Sequence, residues 1–186
     1  MAFDGRQFFK TSDRGNWQHA TDALETGFTF GFYGAFSDYT TQTIASTSIA
    51  YPMTFSNTDE SYGVRIVSGS RITFDYPGTH NVQWSGQFSC SSAGTEDISV
   101  WLRRNGTDVT GSTGFVAVPG SHGGIDGHAL PGWNFVSTYT AGEFIEFIWS
   151  STSTSVSLRT YGASTSPTRP STASLIMTAT QVGAVR

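Results

Sequence analysis

His122-Gly123-Gly124-Ile125-Asp126-Gly127-His128 is where this sequence concentrates side chains able to do chemistry. Two imidazoles and a carboxylate this close could ligate a divalent cation. The glycines between them fix no ligand geometry, as a helical His-x-x-x-His would, and they permit positive φ. The cluster therefore reads as a loop held by side-chain hydrogen bonds. No metal and no cofactor is expected, while His122 and His128 remain candidates for touching a ligand. Asp59-Glu60 and Glu96-Asp97 are sequence neighbours and cannot straddle a glycosidic bond. A G-x-S-x-G elbow, a phosphate loop and a dinucleotide fingerprint are all missing. An enzyme is not expected. Stacking on sugar is the remaining chemistry, with Trp17, Trp84, Trp101, Trp133 and Trp149 as its possible platforms. Trp101 is the best placed, opposite an Ile98/Val100/Leu102 face and beside Arg103. Its alternative is packing against the N-terminal segment or a neighbouring subunit.

The elements that would carry these residues are strands. Charged residues make up 13% of the 186, Lys10 is the sole lysine, and aromatics reach 14%. Few charges with many aromatic, β-branched and small polar residues point to an all-β protein with one domain and an appendage. The net charge of −4 comes with no basic block, so a nucleic-acid partner is not expected. Nothing approaches the ~18 apolar residues of a membrane-spanning helix, and a membrane partner is not expected. Asp4, Arg6, Lys10, Asp13 and Arg14 interrupt the start without an apolar run, which predicts synthesis in a cytosol rather than secretion. Cys90 stands alone, so it forms no intrachain disulfide and reads as a small buried residue.

Residues 1–40 read as an arm. Trp17, Ala20 and Leu24 predict a short helix over 16–26, and Phe28, Phe30, Phe32 and Phe36 form an aromatic-glycine ribbon. With Trp17, these rings are candidates for docking the arm on another subunit; the alternative is that the ribbon packs back on its own domain. Residues 41–186 read as a β-sandwich. Val82, Trp84, Gly86 and Phe88 alternate with Asn81, Gln83, Ser85 and Gln87; Arg104-Asn105-Gly106-Thr107 signals a type I′ hairpin turn. Tyr76-Pro77-Gly78-Thr79 reads as a type II turn. About eight to ten antiparallel strands follow, in the spacing of a jelly roll.

One strand breaks the alternation. Along Phe144 to Trp149, Phe144 and Ile148 flank Glu146 on one side, and Ile145, Phe147 and Trp149 occupy the other. A strand apolar on both faces needs two dry surroundings. One is the domain's core; the other is expected to be a second subunit. Glu146 then needs a partner such as Arg159 or Arg71, or a place at the wet end of the strand.

The succession "ITFDYPGTHNVQWSGQFS", "DISVWLRRNGTDV", "GFVAV", "GWNFVSTYTAGEFIEFIWSS", "SVSL" and "ASLIMTATQV" resembles the trimeric jelly-roll modules of the complement globular-head and tumour-necrosis-factor class. The wording "WLRRNGTDV", "SHGGIDGH", "AGEFIEFIWS" and "SPTRPSTASLIMTATQV" resembles structural proteins of tailed bacteriophages, marine and cyanobacterial ones in particular. The resemblance spans residues 45–183. It implies a homotrimer whose penultimate and last long strands face the threefold axis, which makes Phe144, Glu146, Phe147, Trp149, Leu175 and Met177 the interface candidates. It further implies a non-enzymatic virion protein on the capsid exterior, a decoration or cement trimer bound through its arm to the major capsid protein or another virion protein. The alternatives are a tail-fibre or spike head that recognises cell-surface glycans, and a neck or tail accessory trimer.

Overall fold

The structure is a computed structural model that describes residues 31–184. Among them there is no helix, and ten strands run four residues or longer. They are β1 (Tyr33–Asp38), β2 (Asn57–Tyr62), β3 (Val64–Val67), β4 (Arg71–Phe74), β5 (Gly78–Gly86), β6 (Glu96–Arg104), β7 (Gly114–Val118), β8 (Gly132–Tyr139), β9 (Phe144–Ser151) and β10 (Leu175–Gly183). One sheet has the order β8-β5-β10-β1-β2. The other runs β7-β6-β9-β4-β3, with Tyr51–Pro52 added on β9 and Thr107–Asp108 on β6. Short pieces at Gln42–Thr43, Phe88–Cys90, Gly127–Ala129 and Val156–Leu158 make a third, smaller sheet. Every pairing between these strands is antiparallel, as expected of a jelly-roll sandwich.

The core forms where the apolar sides of the two large sheets meet. Trp84 of β5 lies 5.7 Å from Phe147 of β9, and Phe74 of β4 stacks on Tyr139 of β8 at 4.0 Å. Trp149 meets Phe88 edge-on at 5.5 Å. The period-two patterns of β5 and β6 translate directly: Val82 and Trp84, and Ile98, Val100 and Leu102, are all buried. Asn105 and Gly106 take φ of 47° and 83°, the paired left-handed values that the hairpin turn demands. Cys90 is buried, as read from the sequence.

The start of the sandwich lies earlier than residue 41. Strand β1 sits inside the first sheet, between β10 and β2, and Phe36 is in the core. Phe32 stacks on Tyr76 at 4.2 Å, and its backbone N–H and C=O both bond to Gln181. Phe32 and Phe36, taken above as arm-docking rings, thus serve their own domain. A ribbon rich in glycine reads as a linker, yet Gly34 is there because a Cβ would strike the Phe36 ring at 2.5 Å. The expected helix over 16–26, with Trp17, Phe28 and Phe30, lies outside the described residues.

Strand β2 closes one side of the first sheet. All six of its residues are exposed, Asp59 and Glu60 among them, and its outer backbone edge pairs with no other strand among the described residues. At the opposite side, the Trp133 ring of β8 lies against Gly114 of β7, where a Cβ would come within 2.4 Å of it, and so spans the gap between the two sheets.

Candidate functional site

Pairing register assigns the two faces of the first sheet. Trp84 lies between Trp133 and Met177, and Val82 between Phe135 and Ala179; these point inward. Gln83 lies between Asn134 and Thr178, Asn81 between Val136 and Thr180, and Ser85 between Gly132 and Ile176; these point outward. Val136, Ile176 and Val182 are 51–62% exposed on that outer face. Their neighbours are Thr, Asn, Gln and Ser. No residue of β5, β8 or β10 is Asp, Glu, Lys or Arg. A shallow groove of about 250 Å³ runs over this face between Gln83, Ser85, Ile176 and Thr178.

The second sheet has the opposite surface. Arg65, Arg71, Arg103 and Arg104 all arise from its strands and each holds a carboxylate. Glu146 accepts a hydrogen bond from the Ser70 hydroxyl at 2.5 Å and has Arg71 at 4.0 Å, so Arg71 is its ionic partner and Arg159 is not. Arg159 pairs with Asp126 instead. Glu143 is a hub between strands. It accepts from Arg104 Nε at 3.0 Å, Asn105 Nδ2 at 2.8 Å and the Thr140 N–H at 2.7 Å. The Arg104 guanidinium is the main reason its carboxyl titrates at about 2.

The interface candidates divide. Phe147, Trp149, Leu175 and Met177 are buried inside the chain's own core and offer nothing to another subunit. The second dry face of β9 is also closed largely from within: Ile148 is fully buried between Trp101 and Pro52 on the adjoining strands, and Arg71 lies 4.6 Å over the Phe144 ring. Phe144 and Glu146 remain only half-buried. The reason is positional. Strand β9 is in the middle of its sheet, so neighbours on both sides lean over its outer residues. Sequence reasoning passed over the exposed Val136, Ile176 and Val182 of the first sheet, and also Phe115 on β7 of the second, which is 79% exposed. The signal of the first three was present as a lack of charge along "WNFVSTY" and "IMTATQV".

The histidine loop is a hydrogen-bonded turn, with His122 and Ile125 exchanging both backbone bonds. His128 Nδ1 lies 3.1 Å from the Tyr161 hydroxyl, and Arg159 stacks 5.4 Å over the Tyr161 ring. No cluster of three metal-ligating side chains occurs among the described residues. The structure does not join His122 or His128 to Trp101, which lines a separate groove with Asp108. His80 is fully buried beside the stacked Phe74 and Tyr139 rings, and desolvation holds its imidazole below the usual range.

No protein-family model matches the chain, and no curated protein matches it. Among solved structures, the Eiger TNF of S. frugiperda is similar over 84% of this chain and 96% of its own, with a TM-score of 0.51 at 13% identity. The fold is thus a TNF-like jelly roll.

Proposed function

We propose that this chain is a homotrimeric, non-enzymatic structural protein of a tailed-phage virion. In this reading it is a decoration or cement protein on the capsid exterior, and the outer face of β8, β5 and β10 is the surface that joins the three copies. The observation that carries the reading is that face: exposed valine and isoleucine set among neutral polar residues, with no charge on three adjacent strands. Centres of protein interfaces are depleted of charge in the same way. A surface without charge can also meet a copy of itself without like-charge repulsion. The phage assignment draws on the resemblance of the sequence wording, and a TNF-like jelly roll is compatible with a trimeric module.

The unit beginning at Phe32 has its own core, and in this reading residues 1–31 are the segment that grips the shell. Cementing needs no catalysis. A trimer that binds only the assembled shell stabilises it by mass action, and three tethered segments raise the effective concentration of each. Sedimentation should give three times the 20.0 kDa chain mass. Particle imaging should show density at many equivalent positions of the shell, and removal of residues 1–31 should leave a trimer that no longer attaches. Density at the tail alone would move the protein to the fibre or neck reading. A monomer in solution would end the assembly reading.

A further inference from the structure

We propose that the groove beside Trp101 is a binding site for a neutral sugar unit of a glycan, with the indole as its stacking platform and Asp108 as its hydrogen-bonding anchor. The groove is open, measures about 380 Å³, and lies between Ser99, Trp101 and Ser150 on the sheet and Asp108, Val109 and Thr113 of the following loop. That volume falls within the ~300–1,000 Å³ range of small-molecule sites.

The indole is directed outward and held in place. Its chain neighbours Val100 and Leu102 are buried in the core, which turns Trp101 to the other side of β6. Across the strand pair it faces the buried Ile148. Asp108 accepts a hydrogen bond from Arg103 Nε at 2.7 Å, which holds its carboxyl below the usual range, and it lines the groove beside Trp101. A ring fixed before binding loses less freedom when a ligand arrives.

The lining chemistry selects the class of ligand. A pyranose has an apolar C–H face, which suits an aromatic plane, and a rim of hydroxyls that both donate and accept. Ser99, Ser150 and Thr113 supply hydroxyls of both roles, and Asp108 supplies an acceptor. An apolar peptide finds only Trp101 and Val109. A phosphate or an acidic sugar finds a carboxylate and no cation among the lining residues. The groove opens on the second sheet, away from the face assigned above to trimer contacts.

The test is a titration of the full ¹⁵N-labelled chain with neutral oligosaccharides of galactose, glucose, mannose and N-acetylglucosamine, with N-acetylneuraminic acid alone as the acidic control. The expected result is movement of the Trp101 indole N–H signal by at least one neutral oligosaccharide and not by the acidic one. Thr113→Arg, at an exposed position, fills the groove without touching the core and should abolish the response. Trp101→Ala, followed through the backbone amide signals of Ser99 and Asp108 because the indole signal is then gone, should weaken binding about tenfold or more, as expected for a lost stacking contact. Asp108→Asn should weaken it less. The proposal is overturned if no neutral oligosaccharide moves that signal, if Thr113→Arg binds as the parent does, or if the acidic sugar binds better.

Discussion

The two outer faces of this sandwich are built on opposite electrostatic plans. One, formed by β8, β5 and β10, has no charged residue on any strand. The other carries arginines on β3, β4 and β6, each matched to a carboxylate. Both sheets bury a similar apolar side, so the core does not require this difference. A charged, ion-paired surface suits permanent contact with water. A neutral surface with exposed valine and isoleucine suits contact with protein. The comparison teaches that the apolar character of β9, conspicuous in sequence, is used internally, whereas the surface available for assembly is marked by missing charge.

The sharpest way to break this comparison is to put charge on the neutral face. Ile176→Arg together with Val136→Arg should convert the proposed trimer to monomer in sedimentation velocity, while Thr107→Arg, exposed beside the charged sheet, should leave the mass unchanged. If the double variant stays trimeric, the neutral face is not the interface.

The next largest effect separates core from interface. Phe147→Ala should cost about 3–5 kcal/mol of folding stability in denaturant titration, the usual range for a deleted core aromatic. An interface role would instead show as a concentration-dependent loss of trimer with little change in stability.

On the charged side, Glu143→Gln should cost about 2 kcal/mol, allowing for the water that reaches Arg104. The sign of its pH dependence follows from a carboxyl that titrates at about 2 when folded against 4.5 as its reference. Its stabilisation is complete above pH 4.5 and is lost as pH falls towards 2. Melting curves of the variant should be flatter than those of the parent across that window. The smallest change is Arg71→Ala, whose half-exposed partner contact at 4.0 Å contributes under about 1 kcal/mol. A larger loss would mean that Arg71 acts through its cover over Phe144.

Much of the fold could be read in advance because alternation reports burial directly. The patterns of β5 and β6 and the Asn105-Gly106 turn needed no tertiary information. Other features depend on neighbours that sequence does not name. Strand β2 has no apolar face to announce it. Gly78 reads as a turn glycine, yet it begins β5 with an ordinary φ, and it is glycine because the Gln181 side chain packs where a Cβ would be. In β9 the sequence reports that both faces are apolar but not what covers them, so Ile148 looked exposed until Trp101 and Pro52 were seen beside it. Trp101 was legible only as an outward indole; Asp108, which lines the same groove, comes beside it through the hairpin pairing.

Strand β2 also determines what such an assembly cannot become. Its unpaired edge is the obvious place for a further strand to be added, and an open-ended stack of sheets would grow from there. Two such edges meeting would set Asp59 and Glu60 against their own copies, at a site with no lysine or arginine on the strand to neutralise them. Repulsion at the rim would oppose fibrous polymerisation, and in the proposed trimer the neutral face would be the route by which copies gather into a closed, countable particle.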